Sequence, residues 1–244
     1  MSSGPGEYSP TWSPDGRVLV LGSRHGLQWL RPDAHGRAVP LVRSDTVQIP
    51  WWFSPNGRYL AYHALSPTTG FDLWTVPITE TAAAPVAGEP APFLRTAAYE
   101  TYPAFSPDGR WIAYGSGAYG RWDVFVRAFP DNGAGEVRVS DSGGRIPFWL
   151  PNGHQLLYRT DDQHLRVVEF QAAGGSFVVA KSRPWAEQAL ADTGVISNLD
   201  LDRQTGRVVV LLPAGVEHAQ SPNHVTVRLN TGPEIRGLVF GGRN

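Results

Sequence analysis

Residues 103–114 read Pro103-Ala104-Phe105-Ser106-Pro107-Asp108-Gly109-Arg110-Trp111-Ile112-Ala113-Tyr114. An apolar strand runs into a tight turn, the turn closes on glycine, and a second apolar strand follows at once. Proline presets φ for the second turn position, Asp suits the next, and Gly takes the left-handed conformation that ends a bulged hairpin. Ser-Pro-Asp-Gly therefore joins two antiparallel strands rather than a strand and a helix.

The same unit recurs on both sides. Pro10-Thr11-Trp12-Ser13-Pro14-Asp15-Gly16-Arg17 and Pro50-Trp51-Trp52-Phe53-Ser54-Pro55-Asn56-Gly57-Arg58 precede it. Pro147-Phe148-Trp149-Leu150-Pro151-Asn152-Gly153-His154 and a worn Asp200-Leu201-Asp202-Arg203-Gln204-Thr205-Gly206-Arg207 follow. The turn glycines at 16, 57, 109, 153 and 206 are 41, 52, 44 and 53 residues apart. Four-stranded propeller blades have periods of about 40–50 residues.

Each turn is followed by a strand that is apolar at nearly every position, as in Tyr59-Leu60-Ala61-Tyr62 and Leu156-Leu157-Tyr158. A free hairpin would alternate, so continuous apolarity implies a blade covered on both faces. Third strands follow at Leu27–Leu30, Phe71–Val76, Trp122–Val126, Leu165–Val168 and Val225–Val227. Weaker outer strands are expected at Pro40–Val42, Pro92–Leu94, Val137–Val139 and Phe177–Val179, because outer strands are solvent-facing edges. Thr81–Pro92 and Asp131–Gly135 read as loops, and helical periodicity appears briefly at Pro184–Ala191.

The expected fold is an all-β, single-domain propeller over residues 1–244, with four-stranded antiparallel blades near 8–47, 48–97, 98–142, 143–190 and 193–230. Residues 231–244 are a tail or a closing strand. Either Leu238-Val239-Phe240 or the N-terminal segment closes a five-bladed ring, or the chain is part of a larger propeller.

Net charge is −1, from 21 basic and 22 acidic residues, so no electrostatic footprint points to nucleic acid. There is no cysteine, which excludes disulfides and thiolate chemistry. The N-terminus lacks the pattern of a secretory signal, and the longest apolar runs, such as Val208–Leu212, are too short to span a bilayer. No direct membrane insertion is expected.

The Ser-Pro-Asp-Gly-Arg turn, the apolar strand after it and then Asp72-Leu73-Trp74 or Asp123-Val124-Phe125 resemble the TolB-like, WD40-like (PD40) repeat of bacterial propellers. From Phe93 to Trp149, and again at His224–Asn230, the order of segments resembles the C-terminal propeller of bacterial membrane-anchored serine/threonine kinases. That resemblance implies a sensory or scaffolding module outside the cytoplasmic membrane, joined to a kinase domain on a longer chain. As the chain stands, a free cytoplasmic propeller is the other expectation. The tail departs from the kinase pattern, since Thr231-Gly232-Pro233 stands where a tryptophan and a short acidic helix are usual. No glycine-rich nucleotide loop, His-Arg-Asp or Asp-Phe-Gly motif occurs, and no Gly-x-Ser-x-Gly elbow, so no catalytic residue is assigned.

Seven histidines are scattered at 25, 35, 63, 154, 164, 218 and 224 without metal-ligand spacing. Local hydrogen bonding accounts for them. The alternative gathers His25, His63 and His164 on one face, as similar repeats do in metal-dependent polysaccharide lyases. A further alternative is the accessory propeller of a serine hydrolase. Asp161-Asp162 and Asp200/Asp202 read as turn caps rather than calcium ligands. No metal or cofactor is assigned.

Tryptophans 12, 51, 52, 74, 111, 122 and 149 keep step with the repeat, as interblade packing requires, and one of the Trp51–Trp52 pair is left to face the channel. Propellers bind where the loops entering their innermost strands converge. Here that mouth is expected at Tyr8, Gln48, Glu100, Arg145 and Asn198, holding a small polar ligand or a protein partner through a peptide terminus. The competing reading pairs Glu100 with Arg145 or with nearby backbone.

Overall fold

The computed structural model describes residues 8–32, 37–194, 197–203 and 205–213, and the backbone of 227–230. Blade 1 comprises β1 (Tyr8–Trp12), β2 (Leu19–Ser23), β3 (Gly26–Leu30) and β4 (Val39–Arg43). Blade 2 holds β5 (Gln48–Phe53), β6 (Tyr59–Ser66), β7 (Gly70–Glu80), β8 (Pro85–Ala87) and β9 (Ala91–Leu94). Blade 3 is β10 (Glu100–Phe105), β11 (Trp111–Ser116), β12 (Asp123–Ala128) and β13 (Glu136–Arg138). Blade 4 follows as β14 (Arg145–Trp149), β15 (Gln155–Arg159), β16 (Leu165–Ala173), β17 (Ser176–Val179) and β18 (Arg183–Pro184). Blade 5 contributes β19 (Leu199–Leu201), β20 (Val208–Leu211) and β21 (Val227–Asn230). All pairings are antiparallel and meander outward within each blade, and one bridge, Ser23 with Gln48, links the sheets of blades 1 and 2.

The turns form for the reasons their residues suggest. In the first, the Val18 N–H donates to Ser13 Oγ at 3.0 Å and the Ser13 hydroxyl donates to Asp15 at 2.6 Å. Ser54 with Asn56 and Ser106 with Asp108 repeat this. The worn fifth copy has Asp202 in place of serine and its glycine one position later: Gly206 N–H donates to Asp202 O at 2.8 Å, four residues back rather than three, and φ at Gly206 is +72°. The turns also stack on one another, since a Cβ on Gly57 would meet Pro14, one on Gly109 Pro55, and one on Gly206 Pro151.

Burial peaks in blade 3, where every residue of β10 and β11 is buried, as expected of a blade between two others. One apolar cluster runs through blades 2 to 5 and a second joins blades 1 and 2. Trp149 Nε1 ties blade 4 to blade 3 by donating to Ala104 O at 2.8 Å. Phe53, Phe105 and Trp149, each one residue before the turn, are at most 3% exposed. Trp12 holds the same position and is 50% exposed, so it does not pack between blades as its phase suggests.

Two local expectations need correction. Pro184–Ala191 is not helical: Arg183–Pro184 pair with Arg166 and Val167 as an edge strand, because proline suits an edge. Thr81–Pro92 is not all loop, since β8 pairs with the far end of the 11-residue β7 before the chain returns as β9. Blade 4 does the same, with β17 on the far end of β16 and β18 on the near end. In blade 5, Val225 and Thr226 lie outside the described residues, as do Leu238–Phe240, and the third strand spans Val227–Asn230.

Candidate functional site: the channel mouth

The innermost strands β1, β5, β10 and β14 all carry a register shift at or near the mouth. In three of them the residue before the proline that recurs in these strands has a left-handed backbone: Ser9 (φ 51°), Tyr102 (φ 58°) and Ile146 (φ 54°). Proline disfavours the right-handed helical region for its predecessor, and a bulge re-aims side chains. Non-glycine residues held in this region cost about 1–3 kcal/mol each and cluster at functional sites.

The five expected mouth residues do not share one environment. Tyr8 is half-buried and donates to Ser23 O at 3.1 Å; burial raises its phenol above the usual range. Gln48 is buried and lines a cavity between blades 1 and 2. Glu100 is fully buried, accepts from the Thr96 hydroxyl and lies in the field of Asp72 and Glu136; burial pushes its carboxyl up to about 7. Arg145 instead pairs with Asp161 at 2.5 and 3.0 Å and stacks 4.8 Å from the Trp122 ring. Asn198 is buried and donates to Gln163 Oε1 at 3.0 Å and Ala191 O at 2.7 Å.

A different set gathers around Arg145. Its register partner on β15 is Arg159, which is only 2% exposed. Arg159 Nη2 reaches Gly194 O at 3.5 Å, while Nε and Nη1 have no partner. Burial lowers its pKa, and Tyr102, Arg145, Asp192 and Asp161 are its electrostatic neighbours. Tyr102 stands edge-on to Trp51 at 4.9 Å and to His63 at 5.8 Å. Trp51 Nε1 and Thr101 Oγ1 are also buried without a partner. Trp51 is the half-buried member of its pair, while Trp52 is buried and packs on Phe148 at 5.6 Å. Arg159 was not singled out in the sequence, because it directly follows the apolar run Leu156-Leu157-Tyr158.

His63 is buried against Trp51, Phe71 and Tyr102, its Nδ1 accepts the Tyr102 N–H at 3.4 Å, and burial lowers its pKa to about 3. His164 Nδ1 lies 3.3 Å from Asp162. Among the described residues no three His, Asp or Glu side chains form a group that could hold a metal ion. His35, His218 and His224 lie outside them. Among the same residues, no helix is long and apolar enough to cross a membrane.

Two carboxylates were not singled out in the sequence, Asp72 and Asp123 at the start of third strands. Asp123 is fully buried, with Arg121 at 3.0 Å, Arg138 at 3.7 Å and the Ser140 hydroxyl at 2.7 Å. Asp72 is 1% exposed and takes Thr69 Oγ1 at 2.9 Å and Arg95 at 3.3 Å. The Asp-Leu-Trp and Asp-Val-Phe signals of the repeat pointed to them.

Solved structures share this architecture. TolB from Acinetobacter baumannii superposes with a TM-score of 0.58 at 14% identity, over 96% of this chain and 52% of that one. The fold is a TolB-like β-propeller. An oligogalacturonate lyase in complex with manganese matches the propeller with a TM-score of 0.60 at 13% identity, covering 94% of this chain and 64% of the lyase. A Mycobacterium tuberculosis puromycin-hydrolyzing peptidase gives 0.62 at 17% identity, covering 95% of this chain and 36% of the peptidase. The chain thus spans about half of the TolB chain, somewhat under two thirds of the lyase and about a third of the peptidase. No protein-family model and no curated protein matches the sequence.

Proposed function

We propose that this chain, read as one propeller domain, is a non-catalytic binding module that takes an anionic group, such as a peptide carboxylate, at its channel mouth. The supporting observation is Arg159, a buried guanidinium with two nitrogens that no acceptor meets, beside Arg145. A buried donor left unpaired costs about 1–3 kcal/mol, more when charged. Such a group in a fold calls for a partner from outside the chain, and an anionic ligand is one that also offsets its charge. The strained residues Tyr102 and Ile146 on the adjoining strands support the same location. In this reading Arg145 and Asp161 form the outer lip, Trp51 and Tyr102 the apolar wall, and Tyr8 and Asn198 brace neighbouring blades. The role suits the sensory part of a receptor-type kinase, with the kinase domain on a longer chain.

The test is calorimetric titration with one short peptide in two forms, free C-terminus and C-terminal amide. The free acid should bind, the amide should lose about tenfold or more, and Arg159→Met should abolish the difference. Equal binding of both forms would remove the anion-binding reading. A second reading, an accessory propeller on a hydrolase, draws on the likeness to the peptidase, and would be favoured if the chain bound a catalytic domain rather than a free peptide.

A further inference from the structure

A cavity with a volume of about 620 Å³ lies between blades 1 and 2. Small-molecule sites range over about 300–1,000 Å³ and pair apolar walls with a few placed polar groups. Leu41, Tyr62, Leu65 and Trp74 supply the apolar walls here.

Its polar wall carries two buried oxygens with no donor. Asp72 uses Oδ2 for Thr69 and Arg95, and its Oδ1 is without a partner. Gln48, 7% exposed, has Oε1 in the same state. Both residues line the cavity. Behind them Glu100, in the field of Asp72, leaves Oε2 unpartnered as well. Among the described residues, every buried side-chain atom on this wall that lacks a partner is an acceptor. Arg95 answers only one carboxylate oxygen, held over Trp74 with its guanidinium 5.9 Å from the ring centroid.

Acceptors in want of donors, on the wall of a mixed cavity that Glu89, Arg43 and Arg95 also line, fit a donor-only head on an apolar body. An ammonium has three N–H donors and no acceptor, whereas a carboxylate would meet Asp72 with like charge. We propose that this cavity is a binding site for a small primary amine in its ammonium form, with the head on Asp72 Oδ1 and Gln48 Oε1 and the aliphatic or aromatic body against Trp74 and Leu41. The proposal is independent of the channel-mouth reading, since the two sites share no residue that contacts both ligands.

The experiment uses the full chain and three isosteric probes, hexylammonium, hexanol and hexanoate, followed by amide chemical shifts in two-dimensional NMR. Hexylammonium should move the amides of Tyr62, Ala64, Asp72 and Trp74, hexanol should bind about tenfold more weakly, and hexanoate should not bind. Asp72→Asn should weaken hexylammonium about tenfold. Gln48→Glu adds a charge without adding bulk and should tighten it several-fold, an outcome that a misfolded variant cannot produce. Equal affinity for hexylammonium and hexanol would leave only an apolar hole and overturn the proposal. So would an unmoved spectrum, which would mean that water satisfies both oxygens, and so would unchanged affinity in Gln48→Glu.

Discussion

The guanidinium of Arg203 lies 3.8 Å from the centroid of the Trp52 ring, so the fifth repeat touches the second across the interior of the arc. Trp52 also meets Phe148 of blade 4. One indole is therefore shared by three blades, and burial lowers the Arg203 pKa to about 10. A desolvated cation–π contact contributes up to about 2 kcal/mol.

Arg203→Ala should therefore lower stability by about 2 kcal/mol, and Trp52→Ala by about 3–5 kcal/mol. In a double-mutant cycle the two should couple, and amide exchange in Val208–Leu211 should accelerate before that in blade 3. Additive effects would mean that the two side chains act independently.

Glu100 gives stability a negative slope against pH. Its folded pKa of about 7 stands above the ordinary carboxyl value of 4.5 because burial disfavours the charged form. Between pH 4.5 and 7 the folded state holds a proton that the unfolded state has released, so stability falls as pH rises through that window and is flat beyond it. Glu100→Gln should stabilise the chain by about 2–3 kcal/mol at pH 8 and by little at pH 4. Thermal melts at the two pH values measure it.

His63 gives the opposite slope. Its folded pKa of about 3 lies below the ordinary 6.5, again through burial. As pH falls below 6.5 the unfolded chain takes up a proton that the folded chain refuses, and stability is lost progressively towards pH 3. His63→Phe leaves the Tyr102 N–H without its acceptor at every pH. Relative to wild type it should still gain about 2–3 kcal/mol on going from pH 8 to pH 4.5. An unchanged pH profile would mean that His63 is protonated in the fold.

Trp149→Phe keeps the ring packed on Phe170 and Phe177 but removes the donor to Ala104 O. A buried carbonyl left unpaired costs about 1–3 kcal/mol. The loss should appear as a lower denaturation midpoint with an unchanged slope against denaturant.

At Gly26 any side chain meets backbone. A Cβ there would stand 2.0 Å from Val42 O, and φ is +104°. Gly26→Ala should release β4 from β3, read as faster amide exchange in Leu41–Arg43, with blades 3 and 4 unaffected.

The hairpins were legible because turn chemistry is local: Ser13, Ser54 and Ser106 cap their own loops within five residues. Glu100 was harder to place. Counted back from the proline, Tyr8, Gln48, Thr101 and Arg145 are equivalent, so Glu100 is one residue out of phase with its supposed counterparts. Side chains alternate along a strand, and an offset of one turns a residue to the other face. Glu100 accordingly meets Thr96 and lies in the field of Asp72 and Glu136 rather than pairing with Arg145. The bulges that set this offset differ between blades, with β5 shifting at Pro50–Trp52 and β10 at Thr101–Ala104, and no local signal announces them.

Spacing and turn chemistry were enough to establish repeated antiparallel blades, since both depend on a few neighbouring residues and on periodic apolarity. Only the folded chain brought Arg159 beside Arg145, seated Arg203 on Trp52 and set Asp72 and Gln48 on the wall of one cavity. Those relationships join residues 14 to 151 positions apart, and they depend on bulges, strand register and blade stacking, whose energies are spread over the whole packed structure.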